Sequence, residues 1–136
     1  MILIKIIEKI EDAIELKTSW QLIEKKGKNY SPFISYDWVL LWANTIGKAF
    51  ELFILVVERN NEVIAILPLY KAKDNLLPVL RFCGDELYPD PLSLIVEKTY
   101  EAEAINSIHN YLKSSRKWSS FQLKWFYAEN DSEFYK

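Results

Sequence analysis

The longest apolar stretch of the chain spans residues 51–70, and it predicts the centre of a β-sheet. Two runs rich in valine, isoleucine and leucine flank Asn60 and Asn61. Asparagine tolerates the left-handed backbone that a two-residue turn needs, so the stretch predicts a β-hairpin. Pairing across this turn places Val57 opposite Ile64. Because both faces of the hairpin are apolar, we expect helices to cover both sides of it.

A strand and two helices are predicted before the hairpin. The β-branched run Ile2–Ile7 predicts the strand. Asp12 and Glu15 have the spacing of a capping box, and apolar residues recur at helical spacing from there to Lys26. Ser35 is a favoured N-cap for the second helix. The stripe predicted to be buried on that helix comprises Trp38, Leu41, Trp42, Thr45 and Ile46.

The segment after the hairpin predicts two more strands around a polar loop. Pro68 removes a hydrogen-bond donor from the second hairpin strand, which predicts an edge position or a bulge at this point. A strand is predicted at residues 76–82 and a short one at residues 92–96. The polar, proline-punctuated loop between them spans residues 84–91.

The last part of the sequence predicts a helix and a final strand. Thr99 is expected to cap the helix, and residues 119–126 alternate enough to form the strand. The predicted order is β-α-α-β-β-β-β-α-β. This order predicts an α/β (α+β) fold, with a mixed, mostly antiparallel sheet flanked by helices. We expect one domain over residues 1–136, with a polar tail at residues 128–136.

The amino-acid composition argues against several classes of function. Half of the residues are hydrophobic and the net charge is −2, so no electrostatic footprint for nucleic acid is present. The single cysteine, Cys83, and the single histidine, His109, argue against an internal disulfide and a metal cluster built from these residues. The apolar start is too short for a signal peptide or a membrane span. We therefore expect a cytoplasmic protein with no metal, nucleic acid or membrane span.

Four side chains that could carry chemistry have simpler structural interpretations. Cys83 lies in an apolar strand, which favours a buried structural thiol over a nucleophile. His109 lies beside the apolar stripe of its helix, which favours a solvent-facing position over a general base. Trp38 and Trp42 share a helix face, which favours core packing over an exposed sugar-binding platform.

The polar loop contains a cluster of carboxylates. Asp85, Glu86 and Asp90 could serve acid–base chemistry or hold a cation, but solvated turns attract the same residues for backbone reasons. Tyr88 and Asp90 are our candidate contacts with a substrate or a neighbouring domain. No residue of the chain is predicted to be catalytic or to bind a cofactor.

Several short sequence motifs, taken in their order along the chain, resemble the N-terminal half of the CelD-type acetyltransferases. This branch of the GNAT N-acetyltransferases is associated with cellulose biosynthesis and is related to the FemAB-like acyltransferases. The resemblance covers residues 7–125. The matching residues are Pro32, Phe33, Trp38 and Trp42 before the hairpin, Pro68 and Leu69 at its end, and Phe82, Gly84, Asp85, Tyr88 and Asp90 after it.

The resemblance implies a division of labour between two GNAT-like halves. Members of this branch carry the acyl-coenzyme A site in the second half, so this chain would be the non-catalytic half. Its partner would be the C-terminal GNAT half of the same protein or a homologous subunit. Acetyl-coenzyme A is expected for the full-length member and not for this fragment. Tyr88 and Asp90 would lie towards the cleft between the halves.

The residues themselves argue against a coenzyme A site. Its pyrophosphate needs backbone amides at a helix N-terminus, reached through a turn of the form R/Q-x-x-G-x-G/A. The candidate is the segment 81–86, but Glu86 occupies the second glycine position and two prolines follow. A stand-alone interaction or scaffold domain without enzymatic activity is the alternative, which the end of the chain at Lys136 suggests.

Overall fold

The computed structural model describes residues 2–26, 34–74, 77–84, 94–114 and 120–122, where one mixed β-sheet carries helices on both faces. The strands are β1 (Ile2–Ile7), β2 (Glu51–Arg59), β3 (Glu62–Asp74), β4 (Leu77–Phe82), β5 (Ile95–Val96) and β6 (Ser120–Gln122). The helices are α1 (Ile10–Ile14), α2 (Lys17–Lys26), α3 (Tyr36–Asn44) and α4 (Glu101–Ser114). Two 3-10 turns span Ile46–Ala49 and Lys98–Tyr100.

The sheet has the strand order β1-β2-β3-β4-β6, and β5 pairs with β3. All pairs are antiparallel except β4 and β6, which run parallel. The predicted mixed, mostly antiparallel sheet flanked by helices is therefore confirmed. The element order differs from the prediction only in the first helix, which is divided into α1 and α2.

The hairpin of β2 and β3 forms at the predicted turn but in a different register. Asn60 and Asn61 have φ angles of 51° and 67°, as a tight two-residue turn requires. Val57 pairs with Ala65 and not with Ile64, so the predicted register is wrong by one residue. The cause is a bulge beside the turn, between Val57 and Glu58, which places an extra residue in β3.

The centre of the sheet is apolar on both faces, as predicted, and both faces are covered. Every residue of β2 from Leu52 to Val57 is buried. On one face Trp42 of α3 packs on Tyr70, the register partner of Leu52. On the other face Arg59 lies under Tyr100 at the start of α4. Leu52 and Arg59 are an odd number of residues apart, so α3 and α4 pack on opposite faces.

The N-terminal helices differ from the prediction in detail. The capping box is wrong, because α1 begins at Ile10 with Lys9 as its N-cap and Asp12 lies inside the helix. The Leu16 amide donates to Ala13 O, three residues back, and this tighter turn separates α1 from α2. Helix α2 is described as far as Lys26, and the predicted stop at Gly27 lies outside the described residues.

The start of α3 is confirmed, but its predicted stripe is partly wrong. The Ser35 side chain accepts a hydrogen bond from the Trp38 amide, as an N-cap should. Leu41 and Ile46 are 61% and 54% exposed, so they do not belong to the core. The buried face comprises Tyr36, Val39, Leu40, Trp42 and Ala43. Tyr36 turns this face towards the first helices, because its ring packs edge-on against Trp20.

The last elements are confirmed in kind, with shifts at their ends. Thr99 does not cap α4, because it lies inside the 3-10 turn that precedes the helix. The short strand is limited to Ile95–Val96. The final strand is described only at Ser120–Gln122, so the rest of its predicted span lies outside the described residues. The buried residues of α4 are Ala104, Ile105, Ile108 and Leu112.

Candidate functional site

The two candidate contacts chosen from the sequence, Tyr88 and Asp90, lie outside the described residues. Asp85 and Glu86 lie outside them as well. The described residues on either side of this loop are the end of β4 and the start of β5. The strands and helices that border the loop form the candidate site.

The loop interrupts a single line of pairing along β3. Phe82 pairs with Leu69 at the end of β4, and Ile95 pairs with Ile66 in β5. Leu69 and Ile66 are three residues apart on β3, whereas their partners Phe82 and Ile95 are thirteen residues apart. Ten residues are therefore inserted between β4 and β5. Because ten is even, the alternation of faces continues from β4 into β5. β4 and β5 therefore occupy the same position in the sheet, next to β3, and the loop separates them.

Pro68 lies opposite this interruption. Its carbonyl accepts a hydrogen bond from the Cys83 amide at 2.9 Å. A fully paired residue would also donate to the partner strand, which proline cannot do. The backbone N–H that Pro68 lacks would therefore have pointed to the place where β4 ends. Pro68 lies in a central strand, so the predicted edge position is wrong, and the bulge of β3 lies nearer the hairpin turn.

Trp38 of α3 packs on the first residue of the loop. Gly84 has a φ of +76°, and a Cβ at this position would lie 2.1 Å from Cη2 of Trp38. Both the backbone angle and the close contact require glycine here. Trp38 itself is partly buried. One of the residues that carried the family resemblance, Gly84, thus has a packing explanation.

The strand-to-helix junction of this sheet position lies at residues 97–101 and not beside Gly84. It runs from β5 through the 3-10 turn into α4 and contains no glycine. Glu97 caps the turn without a side-chain hydrogen bond to it. Glu101 and Glu103 occupy the first turn of α4. Negative side chains at this position complement the helix dipole and repel an incoming phosphate.

Ion pairs hold the junction on both faces of the sheet. Glu97 lies 3.5 Å from Nζ of Lys26 at the end of α2. Arg59 lies 3.5 Å from a carboxylate oxygen of Glu103 and 4.9 Å from the ring centre of Tyr100. The charged groups at the mouth of α4 are thus engaged with the protein itself.

An aromatic layer under α3 contains two hydrogen-bond donors without acceptors. The ring centre of Tyr70 lies 5.0 Å from that of Trp42 and 4.9 Å from that of Phe50. Trp42 Nε1 and Arg81 Nε are buried, and neither has a hydrogen-bond partner among the described residues. From the sequence, Arg81 was considered only as the first residue of the rejected phosphate turn at 81–86 and not as a buried donor. The available signal was a cation between Leu80 and Phe82 in a sheet that is apolar on both faces.

Glu24 connects α2 to the start of α3. Its Oε1 accepts a hydrogen bond from the Tyr36 amide at 2.6 Å. Burial raises the pKa of Glu24, the Tyr36 amide opposes this shift, and the nearby Asp37 adds to it. Burial, with a smaller effect of Asp37, also raises the pKa of Tyr36, whose hydroxyl donates to Ile14 O at 3.3 Å.

The remaining sequence candidates have structural positions. Cys83 is 2% exposed, which confirms the buried thiol. His109 is partly buried rather than fully solvent-facing. Over the described ranges, no group of three histidine, cysteine, aspartate or glutamate side chains is placed to hold a metal. None of the helices in these ranges combines the length and apolar character needed to cross a bilayer.

No protein-family model and no curated protein matches the sequence. The fold is similar to the crystal structure of a possible acetyltransferase from Clostridium difficile 630. The TM-score is 0.51 at 17% identity, over 96% of this chain and 82% of that one. Glucosamine-6-phosphate N-acetyltransferase from Arabidopsis thaliana aligns with a TM-score of 0.48 at 12% identity, over 99% of this chain and 88% of that one. The first likeness and the sheet topology show that the chain has the GNAT-like acetyltransferase fold.

Proposed function

We propose that the chain is a GNAT-like domain of an N-acyltransferase that does not itself bind acyl-coenzyme A. It would form one wall of the acceptor site and support an acyl-coenzyme A-binding half, either in the same protein or in a homologous subunit. The observation that carries this proposal is the junction between β5 and α4. At this turn β5, which pairs antiparallel with β3, leads into a helix, and the turn contains no glycine.

The chemistry of the junction is unsuited to a pyrophosphate. Such a group needs consecutive backbone amides that a ligand can approach closely, which glycine allows. Here side chains cover every position from 97 to 101, and two carboxylates lie in the first turn of α4. The junction contains one cation of its own, Lys98, and the flanking cations Lys26 and Arg59 already have carboxylate partners. Recruiting Lys26 or Arg59 to a phosphate would therefore require breaking an existing ion pair.

Isothermal titration calorimetry of the purified chain with acetyl-coenzyme A tests the proposal. We expect no heat of binding, while a GNAT acetyltransferase with the R/Q-x-x-G-x-G/A turn gives a micromolar isotherm under the same conditions. Release of free coenzyme A thiol in the presence of an amine should also stay at the background rate. Micromolar binding to this chain alone would contradict the proposed division of labour.

The reading frame downstream of Lys136 tests the other part of the proposal. We expect it to encode about 150–200 further residues, one more domain, with an R/Q-x-x-G-x-G/A turn. A separate homologous gene beside it would serve the same role as a subunit. If neither is present, the stand-alone interaction domain becomes the better interpretation.

A further inference from the structure

Trp42 and Arg81 present an unusual pair of buried donors. Trp42 is 2% exposed, yet its Nε1 has no acceptor among the described residues. Arg81 Nε is buried without an acceptor, and Arg81 takes part in none of the ion pairs of the described chain. A buried donor left without an acceptor loses its hydrogen bonds to water without replacement, which destabilises the fold. Two such donors on one sheet face require an explanation.

Both residues are placed beside Tyr70, one by ring contact and one by strand pairing. The Trp42 ring lies 5.0 Å from the ring centre of Tyr70. Arg81 is the register partner of Tyr70 on the neighbouring strand, so both side chains point to the α3 side of the sheet. Directly paired residues have Cβ atoms about 5 Å apart. The indole N–H and the guanidinium therefore lie on the same face of the sheet, on either side of Tyr70.

The chemistry of the pair selects a carboxylate. A guanidinium binds the two oxygens of a planar carboxylate side by side, which an ammonium group cannot do. An indole N–H is a donor only, and it can add a third hydrogen bond to the same group. The surrounding rings of Trp42, Phe50 and Tyr70 suit an apolar body attached to that carboxylate.

We propose that Arg81 and Trp42 form a binding site for a small carboxylic acid with an apolar body. The carboxylate accepts hydrogen bonds from the guanidinium and from the indole N–H, and the apolar body packs in the aromatic layer under α3. The site is independent of the proposed function, because it lies under α3 whereas the acyl-coenzyme A argument concerns the start of α4.

Nuclear magnetic resonance of the ¹⁵N-labelled chain tests the site, with benzoate as the probe and benzamide as its neutral isostere. The five tryptophans give separate indole N–H signals, and Trp42→Phe identifies that of Trp42. We expect benzoate to shift the Trp42 signal saturably, with a dissociation constant of about 1 mM or lower. Benzamide should shift it much less at the same concentration, because it is uncharged and offers the guanidinium a single acceptor oxygen.

Two arginine variants separate this site from general charge effects. Arg81→Gln should weaken benzoate binding by about tenfold or more, as loss of a charged hydrogen-bond pair does. Arg59→Gln removes the arginine on the opposite face and should change the dissociation constant less than about twofold.

Three results would overturn the proposal: no shift of the Trp42 signal with benzoate, an equal shift with benzamide, or unchanged binding in Arg81→Gln. If Arg81→Gln does not fold, the comparison of benzoate with benzamide on the unmodified chain decides. Arg81→Lys then adds a second test, because it keeps the charge but loses the paired donors.

Discussion

At the scale of single residues, Glu24 stabilises the start of α3 at a cost that depends on pH. Its Oε1 accepts a hydrogen bond from the Tyr36 amide, with an N–O distance of 2.6 Å. Burial nevertheless raises the pKa of Glu24 above the ordinary 4.5. A carboxyl group whose folded pKa is raised favours the folded state when it is protonated. This contribution is fully present below the unfolded pKa and is lost as the pH rises through the folded pKa.

Glu24→Gln should therefore make the protein more stable at pH 7. The glutamine amide oxygen still accepts the Tyr36 amide proton, while the buried charge and its repulsion by Asp37 are removed. The difference between the variant and the wild type should shrink as the pH falls below 4.5, where both side chains are neutral. Urea unfolding followed by tryptophan fluorescence at pH 7 and pH 4 measures this.

The exposed Glu11 on α1 provides the control for this substitution. Glu11→Gln removes the same charge without touching the Tyr36 amide, so its unfolding midpoint should move little at either pH. A wild type that is more stable than Glu24→Gln at pH 7 would show that the charged hydrogen bond outweighs the cost of burial.

At the scale of elements, α3 is held by two tryptophan rings that each lie against a glycine. Trp38 reaches Gly84 at the end of β4, and Trp42 reaches Gly47 in the 3-10 turn after the helix. A Cβ would come within 2.1 Å of the first ring and 2.4 Å of the second. The glycines therefore set how closely α3 approaches the end of β4 and its own following turn.

Gly84→Ala should destabilise the protein more than Gly47→Ala. The contact with a tryptophan ring alone should cost about 1–3 kcal/mol in either variant. Gly84 also has a φ of +76°, which adds about 1–2 kcal/mol for a residue with a Cβ. Chemical denaturation gives both free energies of unfolding.

A second substitution separates the two costs. Trp38→Leu in the Gly84→Ala background should recover the packing cost and leave the backbone cost. Equal destabilisation by the two glycine variants would show that the φ of Gly84 does not contribute.

The sequence predicted elements well where a local pattern decides them. The Asn60-Asn61 turn, the Ser35 cap and the Ile2–Ile7 strand depend on neighbouring residues, and all three form as predicted. The strand register and the buried faces of the helices were harder to predict from the sequence, because tertiary packing decides them. The bulge at Val57 shifts the hairpin by one residue, and the packing of Tyr36 on Trp20 turns α3.

At the scale of the whole molecule, the loop between β4 and β5 made the position of the strand-to-helix junction hard to predict from the sequence. The sequence analysis sought the phosphate turn at residues 81–86, because a polar loop follows a strand there. The sheet instead resumes at Ile95, and only then does the chain lead into α4. No local pattern marks a strand that continues in register after ten inserted residues. The position of this junction was therefore not predictable from a local pattern, and Tyr88 and Asp90 stay predictions.

The continuity of β4 and β5 predicts the result of shortening this loop. Deleting the ten residues 84–93 joins Cys83 to Leu94 and keeps Ile95 opposite Ile66 on the same face of the sheet. We expect this variant to fold cooperatively, with the circular dichroism of the parent. The contact of Trp38 with Gly84 is lost, so a moderate fall in stability is expected.

Deleting the eleven residues 84–94 is the matched control, because it moves Ile95 and Val96 to opposite faces and takes Glu97 away from Lys26. This variant should unfold at a clearly lower urea concentration than the ten-residue deletion. Amide hydrogen exchange at Ile66 should stay slow only in the ten-residue deletion, where its pairing is preserved. If both deletions fold equally well, register does not connect β4 to β5. If neither folds, the loop itself contributes to the core.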